Sequence, residues 1–373
     1  MCCSGGEVAI NSRTGYVYVI QSHQVAVLKG TELVSQLKTG GQDSEHLAID
    51  GANGWVYVTH QSSNDVAVIR GTEIITRIAA VGRLYPNAIV VEPRSGWAYI
   101  ASGYRKTTKP DEDPVDGNIL VIKGDQVIGN IALGRRLLTH IVADSVGGYL
   151  YTGGTGGDVV VIKELKEVTR FEQEKIGGIG GSIRAMEVNP KTGEVYVVDG
   201  NDGLRRFKAG KLIDKIEVKR GPALLKVHPQ TGDVYIAFGG QGWGQVVVYR
   251  DMKEIAQIEV GKGPVYGYMT VDPLTGNVYT ANSYDSSVSV INGTELLFTR
   301  KVGQYPYGIA ANPVNGWVYV SNFNDGTVSV LGYPPPNYTP LAPTIPVKTP
   351  TTPAKVPTAP SAPTRIPTPK AYP

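Results

Sequence analysis

The stretch NPVNGWVYVSNFNDGTVSVL, residues 312–331, decides how the whole chain is read. Pro313 to Gly316 make a turn, since Pro presets its own φ while Asn and Gly accept the conformations tight turns demand. Trp317 to Val320 then alternate as a strand, a polar loop SNFNDG (321–326) follows, and Thr327 to Leu331 alternate again. A period of two sends successive side chains to opposite faces of a sheet, so the unit is an antiparallel hairpin with two faces to bury. A hairpin by itself cannot bury both; it needs neighbours.

The chain supplies them. The turn glycine recurs as Gly15, Gly54, Gly96, Gly148, Gly193, Gly232, Gly276 and Gly316, at spacings of 39 to 52 residues. Three residues after each stands a tyrosine: Tyr18, Tyr57, Tyr99, Tyr151, Tyr196, Tyr235, Tyr279 and Tyr319. A period near 40 with four short strands per copy predicts an all-β fold, a β-propeller of four-stranded antiparallel blades. In repeat 7 the expected strands are a, Tyr268 to Val271; b, Asn277 to Thr280; c, Ser287 to Ile291; and d, Leu296 to Val302. The tyrosines read as scaffold, with the ring buried between blades and the hydroxyl reaching a partner at the rim.

The phrases NPKTGEVYVVD (189–199), DPLTGNVYTANSYDSSVSVING (272–293) and NPVNGWVYVSNFNDGTVSVL resemble the YVTN family of β-propellers. The likeness spans residues 7 to about 332, with repeats 3 and 4 (EPRSGWAYI, DSVGGYLYT) departing furthest from the pattern. The resemblance implies a cell-surface or extracellular propeller and carries over no catalytic residue.

Eight b–c hairpins that cannot be merged make eight blades the expectation, with seven blades and an accessory repeat as the alternative. Repeat 8 has no evident strand d. One candidate is LAPTIPVK (341–348), whose Pro343 and Pro346 suit only an edge strand. The rival is a strand lost with a truncated N-terminus, which would leave the last blade three-stranded. The domain reading is therefore a disordered N-terminus (1–6), a propeller (7–333, or to 348 if that strand closes the ring), and a disordered Pro/Thr-rich tail or linker (349–373). Of the 25 prolines, 14 follow residue 333, and such a composition favours an extended, polyproline-like tether.

Charge narrows the partners. The tail's Lys348, Lys355, Arg365 and Lys370 account for more than the net +3, leaving the body near −1. That gives no footprint for nucleic acid. No apolar run is long enough for a membrane span. The adjacent Cys2 and Cys3 have no metal-type spacing, and MCCSGG lacks the basic and apolar parts of an export signal. No cofactor fingerprint occurs, and the ring is expected to be monomeric or part of a surface assembly.

Function is sought on the face bearing the d–a and b–c loops, since the a–b and c–d turns opposite are short and regular. Aligning the repeats sets Glu7, His46, Ala88, His140, Ala185, Leu224, Tyr268 and Gly308 at one level, ringing the channel mouth. Glu7, His46 and His140 are the acid–base candidates there. The ligand-binding candidates are Arg83, Tyr85, Arg184, Trp243, Tyr266, Tyr268, Tyr305, Tyr307 and Phe323, because aromatic faces with a few cations suit sugars or peptides. Asp111, Asp113 and Asp116 alternate like calcium ligands, but without the Gly and terminal Glu of an EF-hand loop.

The leading expectation is a non-catalytic surface propeller binding a glycan or a protein partner. The alternatives are a propeller-type lyase or hydrolase working at the channel mouth, and a structural surface-layer component.

Overall fold

In the computed structural model the chain forms eight sheets of four antiparallel strands, each running in sequence order from channel to rim. The structure describes residues 6–21, 23–41, 44–80, 85–103, 117–134, 137–173, 181–200, 203–218, 221, 223–264, 268–332 and 344–346. The innermost strands of blades 1 to 8 are Val8–Ile10, Ser44–Ile49, Tyr85–Glu92, Leu138–Asp144, Ile183–Val188, Leu224–Val227, Met269–Val271 and Pro306–Ala311. Among the described residues no helix is long and apolar enough to cross a membrane.

Eight apolar clusters lie one at each seam between neighbouring blades, which is what a closed ring of two-faced sheets requires. The seam between blade 8 and blade 1 is built like the others. Tyr319, Val328 and Val330 pack against Val8, Val17, Val19, Ala26 and Leu28, and the Ser321 hydroxyl donates to the Gly6 carbonyl. The outermost place in blade 8 is taken by Thr344–Pro346, antiparallel to Thr327–Ser329. That lies within the expected closing segment, of which 341–343 and 347–348 fall outside the described residues.

The repeated turn owes its shape to two residues. The glycine is left-handed in every copy, for example φ +74° at Gly15 and +70° at Gly316, where a Cβ would clash with the backbone. Four residues earlier stands a side-chain acceptor that caps the turn amides. Asn11 Oδ1 accepts from Arg13 and Thr14 N–H at 3.0 and 3.2 Å, and Asp50, Glu92, Asp144, Asn189, His228, Asp272 and Asn312 do the same in their copies. The chemical types differ, but each presents a lone pair two residues ahead of a turn amide.

The eight tyrosines are buried, and three show how neighbouring blades are gripped. Tyr18 Oη donates to the Gly71 carbonyl at 2.9 Å and Tyr235 Oη to that of Gly293 at 3.0 Å, while Tyr151 Oη accepts from Gly210 N–H at 2.8 Å. Each partner is the c–d turn of the following blade. Burial pushes the Tyr18, Tyr151 and Tyr235 phenols up to about 12.

Strand limits differ from expectation by one or two residues. In repeat 7 the strands are Met269–Val271, Val278–Asn282, Ser287–Asn292 and Glu295–Lys301. In repeat 8 the second strand runs Val318–Asn322, so Ser321 and Asn322 are buried strand residues rather than loop. Asn322 Nδ2 donates to Thr327 and Ser329 hydroxyls, each at 2.9 Å, which satisfies its amide donors inside the sheet, while its Oδ1 has no partner among the described residues.

Candidate functional site

At the end of the channel bordered by the d–a and b–c loops lies a cavity of about 650 Å³, within the size range of small-ligand sites. The residues at the shared level of the eight innermost strands fall where the alignment placed them. His140 is opposite Gly153, Ala185 opposite Val198 and Leu224 opposite Ala237, matching Ala88 opposite Ala101. Of the sequence candidates, His46, His140, Arg184, Tyr268, Tyr305, Tyr307 and Phe323 all line this one cavity. Glu7 stands behind His46, whereas Tyr85 and the 47 %-exposed Trp243 are not among the lining residues. Arg83, Tyr266, Asp111, Asp113 and Asp116 lie outside the described residues. Among the described residues no three His, Cys, Asp or Glu side chains gather in a metal-binding group.

The walls divide by chemistry. Blades 7 and 8 contribute aromatic rings. Tyr268 and Tyr307 meet edge to face at 5.3 Å, Tyr284 and Tyr305 at 5.9 Å, and Phe323 sits 6.2 Å from Tyr305 and 6.4 Å from Tyr307. Two loops hold this group in place. Phe323 N–H donates to Tyr305 O at 2.9 Å, Asn324 N–H to Gln304 O at 3.2 Å, and Asp325 Oδ2 accepts from Gln304 N–H at 2.7 Å. Tyr305 itself is left-handed, φ +54°, an unfavourable conformation for a bulky non-glycine residue. The stitched loops over-determine it, and the ring is thereby set at the cavity edge.

Blades 2 to 6 contribute the polar wall. Gln61 Nε2 donates to Asn87 Oδ1 at 2.7 Å, and Asn87 Nδ2 donates to Leu138 O at 3.1 Å, linking three blades. Glu7 on blade 1 bridges to blade 2: its Oε2 accepts from Leu47 N–H at 2.7 Å and lies 3.4 Å from His46 Nδ1. His140 borders the cavity and is half-buried. Burial, then the neighbouring His46 charge, push its imidazole down to about 4 against a hydrogen bond to the Arg184 backbone. Thr139 Oγ1 is 2.9 Å from His140 Nδ1.

One pair escaped the sequence reading. Lys226 Nζ forms an ion pair with Glu187 Oε2 across the seam between blades 5 and 6. The signal was present, since Glu187 is opposite Tyr196 and Lys226 opposite Tyr235, the same register in adjacent repeats.

Chemically, the cavity can stack a flat or ring-shaped group on one side and hydrogen-bond it on the other. The Glu7–His46 pair could also orient a proton acceptor, the carboxylate being fixed by a backbone amide.

In comparisons with known proteins, the sequence matches no family model and no curated protein. Solved structures do match in shape. The dihydro-heme d1 dehydrogenase NirN, in complex with DHE, has a TM-score of 0.60 at 14 % identity, over 75 % of this chain and 61 % of that one. This chain thus spans less than two thirds of the NirN chain. Kuenenia stuttgartiensis hydrazine synthase gives 0.56 at 14 % identity, over 89 % and 96 % of the two chains. BamB from Moraxella catarrhalis gives 0.64 at 13 % identity, over 88 % and 96 %. At such identities the likeness is one of fold, and the fold is an eight-bladed β-propeller.

Proposed function

We propose that the chain is a YVTN-type repeat propeller, displayed outside the cell or on its surface, that binds a glycan at the channel mouth without altering it. The observation that carries this reading is the divided cavity. Tyr268, Tyr305, Tyr307 and Phe323 offer ring faces, while Gln61, Asn87, Thr139 and His46 offer hydrogen-bonding groups across the same space. Sugars have one apolar face and a hydroxyl-rich edge, and so fit a site of this kind. The surface location is supported by the composition of the tail, which suits an extended spacer.

Glycan-array screening followed by calorimetry tests the reading. A Tyr305→Ala, Tyr307→Ala double variant is expected to lose most of the affinity for any glycan found. Undiminished binding would overturn the assignment of this wall. A second reading, a hydrolase or lyase, rests on the 3.4 Å approach of Glu7 to His46. It requires bound glycan to be converted to product, and conversion to stop in Glu7→Gln while binding persists; glycan recovered intact after long incubation dismisses it.

A further inference from the structure

We infer that the group recognised in this channel is an acidic sugar, a uronate whose carboxylate is met by Arg184. This inference rests on the glycan reading above and narrows it.

Lys226 is neutralised by Glu187 across the blade seam. His46 is faced by Glu7. His140, pushed down to about 4, is uncharged at neutral pH. Arg184 lines the same cavity from the innermost strand of blade 5 with its side chain exposed. Among the described residues no carboxylate pairs with its guanidinium. The described lining therefore carries one formal charge without a counter-charge, and it is positive.

The type of cation matters as well. Arginine keeps its charge at all working pH values and offers a planar fork that matches a carboxylate with two parallel hydrogen bonds. Its position also fits. Arg184 stands three blades round the ring from Tyr305, Tyr307 and Phe323, across the channel from the aromatic wall. A pyranose stacked on that wall would turn its edge toward the guanidinium. A single unpaired cation balances a single negative charge, which suits a carboxylate better than a phosphate dianion.

Calorimetry on the full chain with trigalacturonate and with its methyl ester separates the terms, because esterification removes the charge and leaves the rings. The acid form is expected to bind at least about tenfold more tightly, the size of one charge-assisted hydrogen bond. Arg184→Gln should reduce the acid to the affinity of the ester and leave the ester unchanged, whereas Tyr305→Ala, Tyr307→Ala should weaken both. Equal binding of acid and ester by the unaltered chain, or an equal loss of both in Arg184→Gln, overturns the inference while the glycan reading stands. A stronger preference for a sulfated trisaccharide or for an acidic peptide overturns it too. Binding of neither sugar, by this probe and on the array, refutes the glycan reading and the inference together. Arg184 is exposed, so unchanged melting temperature in Arg184→Gln is the control for folding.

Discussion

Replacing Gly41 by alanine is a sharp test of how the blades are locked. Gly41 lies on the connection from blade 1 to blade 2, and its backbone passes directly over the His60 ring. A Cβ there would fall far inside contact distance of His60 Cγ, Cδ2 and Nδ1. His60 is fully buried, with Nδ1 2.7 Å from Asp65 Oδ1 and Nε2 2.9 Å from Thr39 Oγ1. Asp65 also pairs with Arg77. Burial alone would raise the Asp65 carboxyl, but hydrogen bonds from His60, Arg77 and Ser63 outweigh it and hold it at about 2. Carbon atoms need about 3.5 Å of separation, so the ring must retreat by more than about 1 Å, which breaks both of its bonds. One bond goes to a charged group and one to a hydroxyl, which together predict a loss of about 3 kcal/mol. For a domain of this size that is roughly 4 °C in Tm. His60→Ala removes the same two bonds and leaves a cavity where a fully buried ring had been, so it should cost more. The decisive measurement is the double variant, followed by calorimetric melting. If the glycine exists to admit the ring, Gly41→Ala costs nothing once His60 is alanine, and the double variant melts with His60→Ala. A double variant that falls by the sum of the two losses refutes the reasoning.

Two further outcomes are expected. His140, ordinarily near 6.5 and held at about 4 in the fold, leaves a proton bound only by the unfolded chain between those values. Stability is therefore complete above about pH 6.5 and falls as pH drops toward 4, by up to about 3 kcal/mol. Urea unfolding at pH 7.5, 5.5 and 4.5 should show that slope, and His140→Gln should flatten it; parallel slopes would count against the assignment. The tyrosine grips should be unequal. Tyr18→Phe and Tyr235→Phe each leave a neighbouring carbonyl without its donor and should cost about 1 kcal/mol, whereas the Tyr319 hydroxyl has no partner among the described residues and Tyr319→Phe should be neutral in the same melts.

Much of this could be read from the sequence, for physical reasons that differ between residues. The glycine and tyrosine of each repeat were legible because one conformation and one buried shape admit few alternatives. The level of His46, His140 and Ala185 followed, since the distance from each tyrosine to its innermost strand is fixed by a turn of constant size. The turn-capping acceptor was harder to see. Asn11, Glu92 and His228 share a lone pair rather than a residue type, and a reading by identity passes over them. Polarity suggests that Ser321 and Asn322 belong to a loop, yet both are buried in the strand: the Ser321 hydroxyl bonds to Gly6 and Gly308, and the Asn322 amide nitrogen donates to Thr327 and Ser329 within the hairpin. Trp243 has the right chemistry for the cavity, but its loop carries it to the surface instead.

Every one of the first seven blades takes its four strands from a single unbroken stretch of chain, with no strand lent to a neighbour. The unit that a gene can copy is then the same as the unit that can be inserted in the ring. A new copy arrives with its own capped turn and its own tyrosine, ready to hold whichever blade comes next. Such an assembly can diverge one member at a time. Rings and charges accumulate on blades 5, 7 and 8 without disturbing the rest, and a channel mouth of unlike walls arises from copies of one hairpin.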